Sequence, residues 1–286
     1  MLIIIGSIIV TVSVLGGYAM HGGDLGVLWQ PFEFVIIFGA AIGAFIIGTP
    51  KSIAADTIKA IGPMMKGPKY KKDDFLELLS MQYSVFKLAK TKGDLALESH
   101  VEKPGDSPLF QRFPKFASDH HNLAFLCDYL RLLTLGTNNA HEVEAIIDAE
   151  IEAHHHHKHS ISSGVITMAD GMPALGIVAA VLGVINTMGS ITEPPEVLGK
   201  LIGAALVGTF SGVLFSYGFF APYGRAMEAV FENETLYLNC MKAGLLAHMQ
   251  GYAPQVSIEF ARKILPDHLR PTFQELEETV TNLPSE

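Results

Sequence analysis

Long apolar stretches alternate with polar segments along this chain, and two of the stretches contain no Asp, Glu, Lys or Arg. These two cover residues 171–191 and 201–223, and further apolar stretches cover residues 2–20 and 33–49. A helix needs about 20 apolar residues to cross the hydrocarbon core of a bilayer. The pattern therefore predicts four transmembrane helices, which we call spans 1 to 4 in chain order.

Small residues recur at four-residue spacing within the predicted spans. Gly208 and Gly212 belong to such a ridge in span 4, and Gly39 and Gly43 repeat the spacing in span 2. Small residues let helix backbones approach closely in lipid, where apolar burial alone gives helices no reason to associate. We expect these faces to join copies of the chain into an oligomer, with spans 3 and 4 lining its centre.

Composition and charge support a membrane protein and predict its orientation. The chain is 49% hydrophobic and only 17% charged, whereas soluble domains carry about 25% charged residues. Residues 51–169 hold 14 of the 20 Lys and Arg residues, and the two hairpin loops, 21–32 and 192–200, together hold one Lys. Lys and Arg near span ends stay on the cytoplasmic side, so both termini are predicted to be inside and both hairpin loops outside.

Three further features exclude other classes of protein or site. No positively charged segment precedes span 1, which predicts a retained span and not a cleaved signal peptide. The net charge of −9 argues against nucleic-acid binding, which needs a basic surface. Cys127 and Cys240 lie far apart on the predicted cytoplasmic side, so no disulfide is expected between them.

The polar segments are predicted to be helical. Residues 73–90 place an apolar stripe on one helix face, with Gln82 as its one polar interruption. A break over 103–114 precedes helices over 116–135 and 140–153. Residues 224–250 lack a strong helix breaker and are predicted to continue span 4, and two shorter helices over 257–265 and 272–281 close the chain.

The resulting fold class is an all-α integral membrane protein with four transmembrane helices. Residues 1–50 and 170–223 form its two transmembrane hairpins. A helical cytoplasmic domain, 51–169, lies between spans 2 and 3, and a helical C-terminal extension, 224–286, follows span 4.

Four residues at or within the membrane are candidates for local structural or functional roles. Asp170 fits either the N-cap of span 3 or a way station for protons or cations. Pro173 fits the first turn of the same helix, where proline is tolerated. Pro222 would kink a helix that continues beyond span 4, which makes it a hinge candidate. Thr209 either bonds to its own helix or lines a hydrated pore.

Two charged clusters fit simple surface roles. The run His154–His157, with His159, lacks the ordered spacing and mixed ligands of a structural zinc site, and a solvated connector is the favoured interpretation. Lys90 and Glu98 belong to a charged stretch typical of a solvated helix face. The sequence has no phosphate-binding loop, dinucleotide fingerprint or hydrolase motif, so neither an enzyme nor a cofactor is indicated.

Motifs in order along the chain resemble the MotA family of flagellar stator subunits. The matching segments are GGY at 16–18, QPFE at 30–33, DYLRL at 128–132, DGMPALGIVAAVLG at 170–183, VGTFSGVLFSYGF at 207–219, GYAP at 251–254, EFARK at 259–263 and RPTFQELEE at 270–278. The resemblance implies five such subunits around two MotB helices, which would carry the ion-binding aspartate and the peptidoglycan anchor. Ion flow would turn this homo-pentamer, whose cytoplasmic domain would push the rotor protein FliG.

The resemblance also implies residue roles. It assigns torque coupling to Pro173 and Pro222, the carboxylate at the cytoplasmic end of the ion path to Asp170, and the threonine beside the ion site to Thr209. Tyr217 is added to the predicted ion path because it shares the polar thread of span 4 with Thr209. Rotor contact would fall to Glu98 and Lys90. Lys90 replaces the family arginine, which keeps the charge but loses the planar two-pronged donor.

Ala180 predicts the transported ion. Sodium-driven relatives resemble this segment but carry a threonine here, whose hydroxyl helps to coordinate the cation. Alanine offers no such oxygen, so protons are predicted.

Two other classes of function are less favoured. Energisers of the ExbB or TolQ type, which drive outer-membrane processes, usually have three spans and an external N-terminus. An intramembrane protease would need a nucleophile and base, or paired aspartates, within the spans.

Overall fold

Four helices long and apolar enough to cross a membrane dominate the computed structural model, which describes residues 2–64, 66–137 and 139–284. These helices are Leu2–Met20, Leu25–Gly48, Ala140–Met188 and Pro195–Met249. No β-strand is found within the described residues. The predicted all-α fold class with four spans is therefore confirmed.

Span 4 begins earlier than predicted. Its helix starts at Pro195, six residues before the predicted boundary, and includes the charged Glu196 and Lys200. Proline at the first helical position already has the φ angle of a helix and has no N–H group to leave unpaired. The apolar pattern therefore marks only the part of this helix that is free of charge.

Spans 1 and 4 each contain a π-helical segment. Val12–Gly16 interrupts span 1, and Ser216–Phe220 separates the helices Pro195–Phe215 and Ala221–Met249. The chain remains helical through both segments, so the predicted continuation of span 4 is confirmed.

The chain folds into two compact units. The first comprises Met1–Gly67 and His156–Phe231, and the second comprises Pro68–His155 and Glu232–Glu286. The first unit contains all four apolar stretches and also the helix Lys51–Met64. Met64 belongs to a small core in this unit, with Ile161, Val165, Met227, Val230 and Phe231.

The helix Lys72–Lys92 forms the centre of the second unit. The predicted stripe is buried throughout, at Phe75, Leu78, Leu79, Gln82, Val85, Phe86 and Ala89. The amide nitrogen of Gln82 finds a partner within the core, because Nε2 donates to the main-chain oxygen of Met241 at 2.8 Å. Cys127 and Cys240 are free and buried in the same unit, as predicted.

Shorter helices pack around this central helix. In chain order they are Glu98–Glu102, Pro108–Gln111, Pro114–Ala117, His120–Thr134, Pro254–Lys263 and Phe273–Thr281. The last begins with a capping box, in which the Thr272 hydroxyl accepts from the Glu275 N–H and the Glu275 carboxylate accepts from the Thr272 N–H.

Candidate ion-conduction site

Spans 3 and 4 are in backbone contact through glycine. A methyl group at Gly212 would lie 2.6 Å from the Met172 oxygen, and one at Gly176 would lie 2.7 Å from the Gly208 oxygen. Only a hydrogen fits in these gaps, so glycine sets the close approach of the two helices.

This contact corrects one prediction about the small residues. Gly208 and Gly212 pack against span 3 of the same chain, so these residues hold one subunit together and do not face a second copy. Gly39 and Gly43 of span 2 differ, because a methyl group at either would meet nothing within 4 Å. The sequence pattern identified the faces for close packing, but it did not distinguish contacts within a chain from contacts between chains.

The carboxyl group of Glu33 lies where spans 2, 3 and 4 meet. Glu33 is in the first turn of Pro31–Gly48 and is 9% exposed. A methyl group at Gly208 would lie 2.9 Å from Glu33 Oε2, and one at Gly183 would lie 3.4 Å from Glu33 Oε1. Sequence reasoning assigned no role to Glu33, because it stands at the border between a loop and a span. Ile37 and Ala41 follow Glu33 at four-residue spacing and are buried. This spacing was the signal that Glu33 faces inward.

Ala180 and Thr209 lie on the two helices that form this junction. The Ala180 nitrogen lies 3.0 Å from the point that a methyl group at Gly208 would occupy. The Thr209 Cα atom lies 3.3 Å from the point that a methyl group at Gly176 would occupy. Both residues are half-buried. Tyr217 lies in the π-helical segment of span 4 and is 61% exposed.

Asp170 and Pro173 lie well inside a helix, which corrects two interpretations. The helix runs unbroken from Ala140 to Met188. Asp170 therefore cannot be an N-cap, and Pro173 does not occupy a first turn. Both interpretations failed because the helical segment 140–153 and span 3 are continuous through the histidine run, 154–159, which contains no apolar residue.

Proline inside this helix has a local consequence. Pro173 has no N–H group, so the carbonyl group of Ala169, four residues earlier, loses its normal helical donor. Asp170 is exposed and directly follows Ala169.

Pro222 follows the π-helical segment of span 4 immediately. The Ala221 N–H group donates to the Ser216 oxygen, five residues earlier, and Pro222 is the second residue of the helix that follows. π-Helical turns and proline are two of the few local features that bend helices. The prediction that a helix continues beyond Pro222 is confirmed.

Lys90 and Glu98 lie on separate helices of the second unit. Lys90 is in the last turn of Lys72–Lys92, which ends at Gly93 with φ +87°. Glu98 begins the helix Glu98–Glu102. Both side chains are exposed, and Lys90 Nζ donates to the Gly251 oxygen at 3.3 Å.

The histidine run is helical, and its side chains are exposed or half-buried. Residues 154–159 belong to the helix Ala140–Met188. His157 lies 3.2 Å from Asp56 and His159 lies 3.6 Å from Glu228, measured between ring Nε2 and carboxylate oxygen. Among the described residues, no three His, Cys, Asp or Glu side chains come together as metal ligands would.

Comparisons with known proteins cover almost the entire chain. A family model described as Motility protein A N-terminal matches residues 4–93, and one described as MotA/TolQ/ExbB proton channel family matches residues 118–239. Motility protein A of Salmonella typhimurium is 41% identical over 280 residues, which are 98% of this chain and 95% of that protein.

Solved structures share the fold. A chain from a structure described as C. jejuni MotAB has a TM-score of 0.78 at 20% identity, covering 95% of this chain and 98% of its own. A chain from the flagellar MotAB stator complex of Bacillus subtilis has a TM-score of 0.72 at 25% identity, covering 92% of this chain and 95% of its own.

Proposed function

The chain belongs to the motility protein A family of flagellar stator subunits, and from this premise we propose that it conducts protons together with a MotB partner and converts their flow into torque. The observation that carries the proposal is 41% identity to a motility protein A over 98% of the chain. The family forms channels and is not enzymatic. The match of residues 4–93 to the motility-specific model favours this function over an ExbB or TolQ type of energiser.

The proposed assembly has five copies of this chain around two MotB helices, with both termini in the cytoplasm. The solved relative from Bacillus subtilis is a MotAB stator complex, which supports the partner. The open faces at Gly39 and Gly43 support contacts between copies, because close approach of a second helix needs such faces. The MotB helices would supply the aspartate that binds the ion.

Within this assembly, the proposed ion path includes Ala180, Thr209, Tyr217 and Asp170. Ala180 and Thr209 border the glycine-lined contact between spans 3 and 4. The methyl group of Ala180 offers no oxygen to a dehydrated sodium ion, which supports protons as the transported ion.

Coupling to the rotor would use two further pairs of residues. Pro173 and Pro222 interrupt the hydrogen bonding of the two long helices that contribute to both compact units. Lys90 and Glu98 offer opposite exposed charges on the second unit. We assign torque coupling to the prolines and contact with FliG to the charges.

Deletion of the gene, followed by complementation, tests the function and the ion together. Deletion is expected to leave cells with flagella that do not rotate, and the intact chain should restore swimming that depends on the proton gradient. Swimming speed should be unchanged in sodium-free medium at constant proton-motive force. Motile deletion cells with a defective outer membrane would instead indicate the ExbB or TolQ type. Swimming that stops without sodium would overturn the assignment of the ion.

A further inference from the structure

Glu33 is a buried carboxyl group with an unsatisfied oxygen. It is 9% exposed, and Oε2 has no hydrogen-bond partner within the described residues. Glu33, Ile37 and Ala41 are the buried residues of their helix and share one face. The side chain therefore points into the bundle and not toward lipid.

Two glycines make room for this carboxyl group. A methyl group at Gly208 would lie 2.9 Å from Oε2, closer than the van der Waals contact of carbon and oxygen, and one at Gly183 would lie 3.4 Å from Oε1. Gly183 belongs to span 3 and Gly208 to span 4. The three apolar helices thus form a cradle around one polar group, which is a built feature of the junction.

The carboxyl group also lies beside the proposed ion path. Ala180 N and Glu33 Oε2 both lie within 3.0 Å of the point that a methyl group at Gly208 would occupy. Glu33 follows the first hairpin loop in sequence, whereas Ala180 lies within span 3. The carboxyl group therefore lies at the level of Ala180, on a helix that begins directly after that loop.

Burying an unpaired carboxylate in a low-dielectric bundle is costly, and such groups are kept where they bind ions or protons. We propose that Glu33 is a proton-binding group on the conduction route of this subunit. This inference rests on the proposed function. In the step, a hydronium ion near the first hairpin loop breaks one O–H bond and is left as water, and Oε2 forms an O–H bond with the released proton. That bond breaks when the proton passes to the carboxylate of the partner, so charge and atoms balance and no electron is transferred.

A competing role for Glu33 is stabilisation of a helix terminus. A negative charge in the first turn interacts favourably with the helix dipole. Glu196 is the corresponding first-turn carboxylate of Pro195–Phe215, but it is exposed. A terminus role needs only the charge, whereas a proton-binding role needs the enclosed carboxyl group.

Proton flux through the complex with its MotB partner, reconstituted in liposomes, separates these roles. Glu33→Gln keeps the shape of the side chain but cannot carry a proton, and it should lower flux about a hundredfold or more, as expected for loss of one proton-transfer group. Glu33→Asp should retain more flux than Glu33→Gln. The matched control Glu196→Gln should conduct like the wild type. Native mass spectrometry checks that every variant assembles.

Each outcome bears on a defined claim. A wild-type complex without proton flux would contradict the proposed function itself. Equal flux in the wild type and Glu33→Gln would overturn only the role of Glu33.

A second measurement applies if the variants do not assemble. The wild-type complex is treated with dicyclohexylcarbodiimide, an apolar reagent that modifies protonated carboxyl groups. Modification of Glu33 that blocks flux, with Glu196 unmodified, supports the inference, and an unmodified Glu33 overturns it.

Discussion

His248 shows how burial changes the chemistry of one residue in the second unit. Its ring stacks on Phe86, with ring centroids 4.6 Å apart, and its buried Nδ1 atom has no hydrogen-bond partner among the residues that the structure describes. Burial lowers the pKa of His248 below its ordinary value, Asp94 raises it, and the charge of Lys90 lowers it further. The folded protein therefore favours the neutral ring.

The lowered pKa of His248 predicts a loss of stability in acid. In the unfolded chain, His248 binds a proton near its ordinary pKa of about 6.5. In the folded chain, burial opposes this protonation. The free energy of unfolding should therefore be highest above this pH. It should decrease as the pH is lowered further, by at most about 1.4 kcal/mol per pH unit for one proton. Thermal unfolding of the complex from about pH 8 to about pH 5.5 measures this.

Two glutamine variants isolate the contribution of His248. His248→Gln should unfold with a weaker dependence on pH than the wild type. The exposed His268 provides the control, since His268→Gln should keep the wild-type dependence. Identical pH profiles for His248→Gln and the wild type would assign the acid sensitivity to other groups.

Single polar residues also mark the limit of what the sequence could predict. The buried stripe of Lys72–Lys92 followed from apolar spacing, including the place of Gln82. Glu33 did not, because an acidic residue at the start of a span is equally compatible with an exposed helix terminus. Only the positions of Gly183 and Gly208 on two other helices show that its carboxyl group is enclosed.

At the level of elements, helix length was harder to predict than helix identity. The two apolar hairpins and the central amphipathic helix all followed from hydrophobic pattern. The 49-residue helix Ala140–Met188 did not, because residues 154–159 contain five histidines and no apolar residue. In the folded chain this part of the helix has long-range partners, since His157 and His159 lie near Asp56 and Glu228, respectively. Such partners are not visible in local sequence.

The π-helical segment before Pro222 predicts a coupling role that a point mutation can test. Pro222→Ala restores an N–H group that can bond to the Gly218 carbonyl, which removes the cause of the interruption. Pro173→Ala does the same for Ala169. Both variants should insert and assemble but generate little torque, whereas proton leakage should change less. Rotation of tethered cells under load, beside flux in liposomes, measures the two effects.

Pro195→Ala is the matched control for both prolines. Pro195 is the first residue of its helix, where no helical hydrogen bond is missing because of proline. Its alanine variant should rotate like the wild type. If Pro222→Ala and Pro173→Ala also rotate at wild-type speed under load, torque coupling does not depend on these prolines.

At the scale of the whole molecule, the division into units differs from the predicted domain boundaries. Residues 51–67, 156–169 and 224–231 were predicted outside the membrane but group with the spans. Charge and hydropathy predict where a chain leaves the lipid, whereas the division into compact units reflects which side chains pack together. The core around Met227 and Phe231 explains the difference, because it joins these flanking segments.

The proposed contact with FliG uses the exposed charges of Lys90 and Glu98 in the second unit. The double variant Lys90→Glu with Glu98→Lys preserves net charge and should cripple swimming while leaving the protein in the membrane. Matching charge reversals on FliG should partly restore it. Surface charges are screened beyond about 10 Å at 0.1 M salt, so single neutralisations should have smaller effects.

Lys263 and Glu278 are exposed in the same unit, and their exchange by Lys263→Glu with Glu278→Lys provides the control, which should swim normally. Normal swimming by the Lys90 and Glu98 double variant would show that these charges are only a solvated surface.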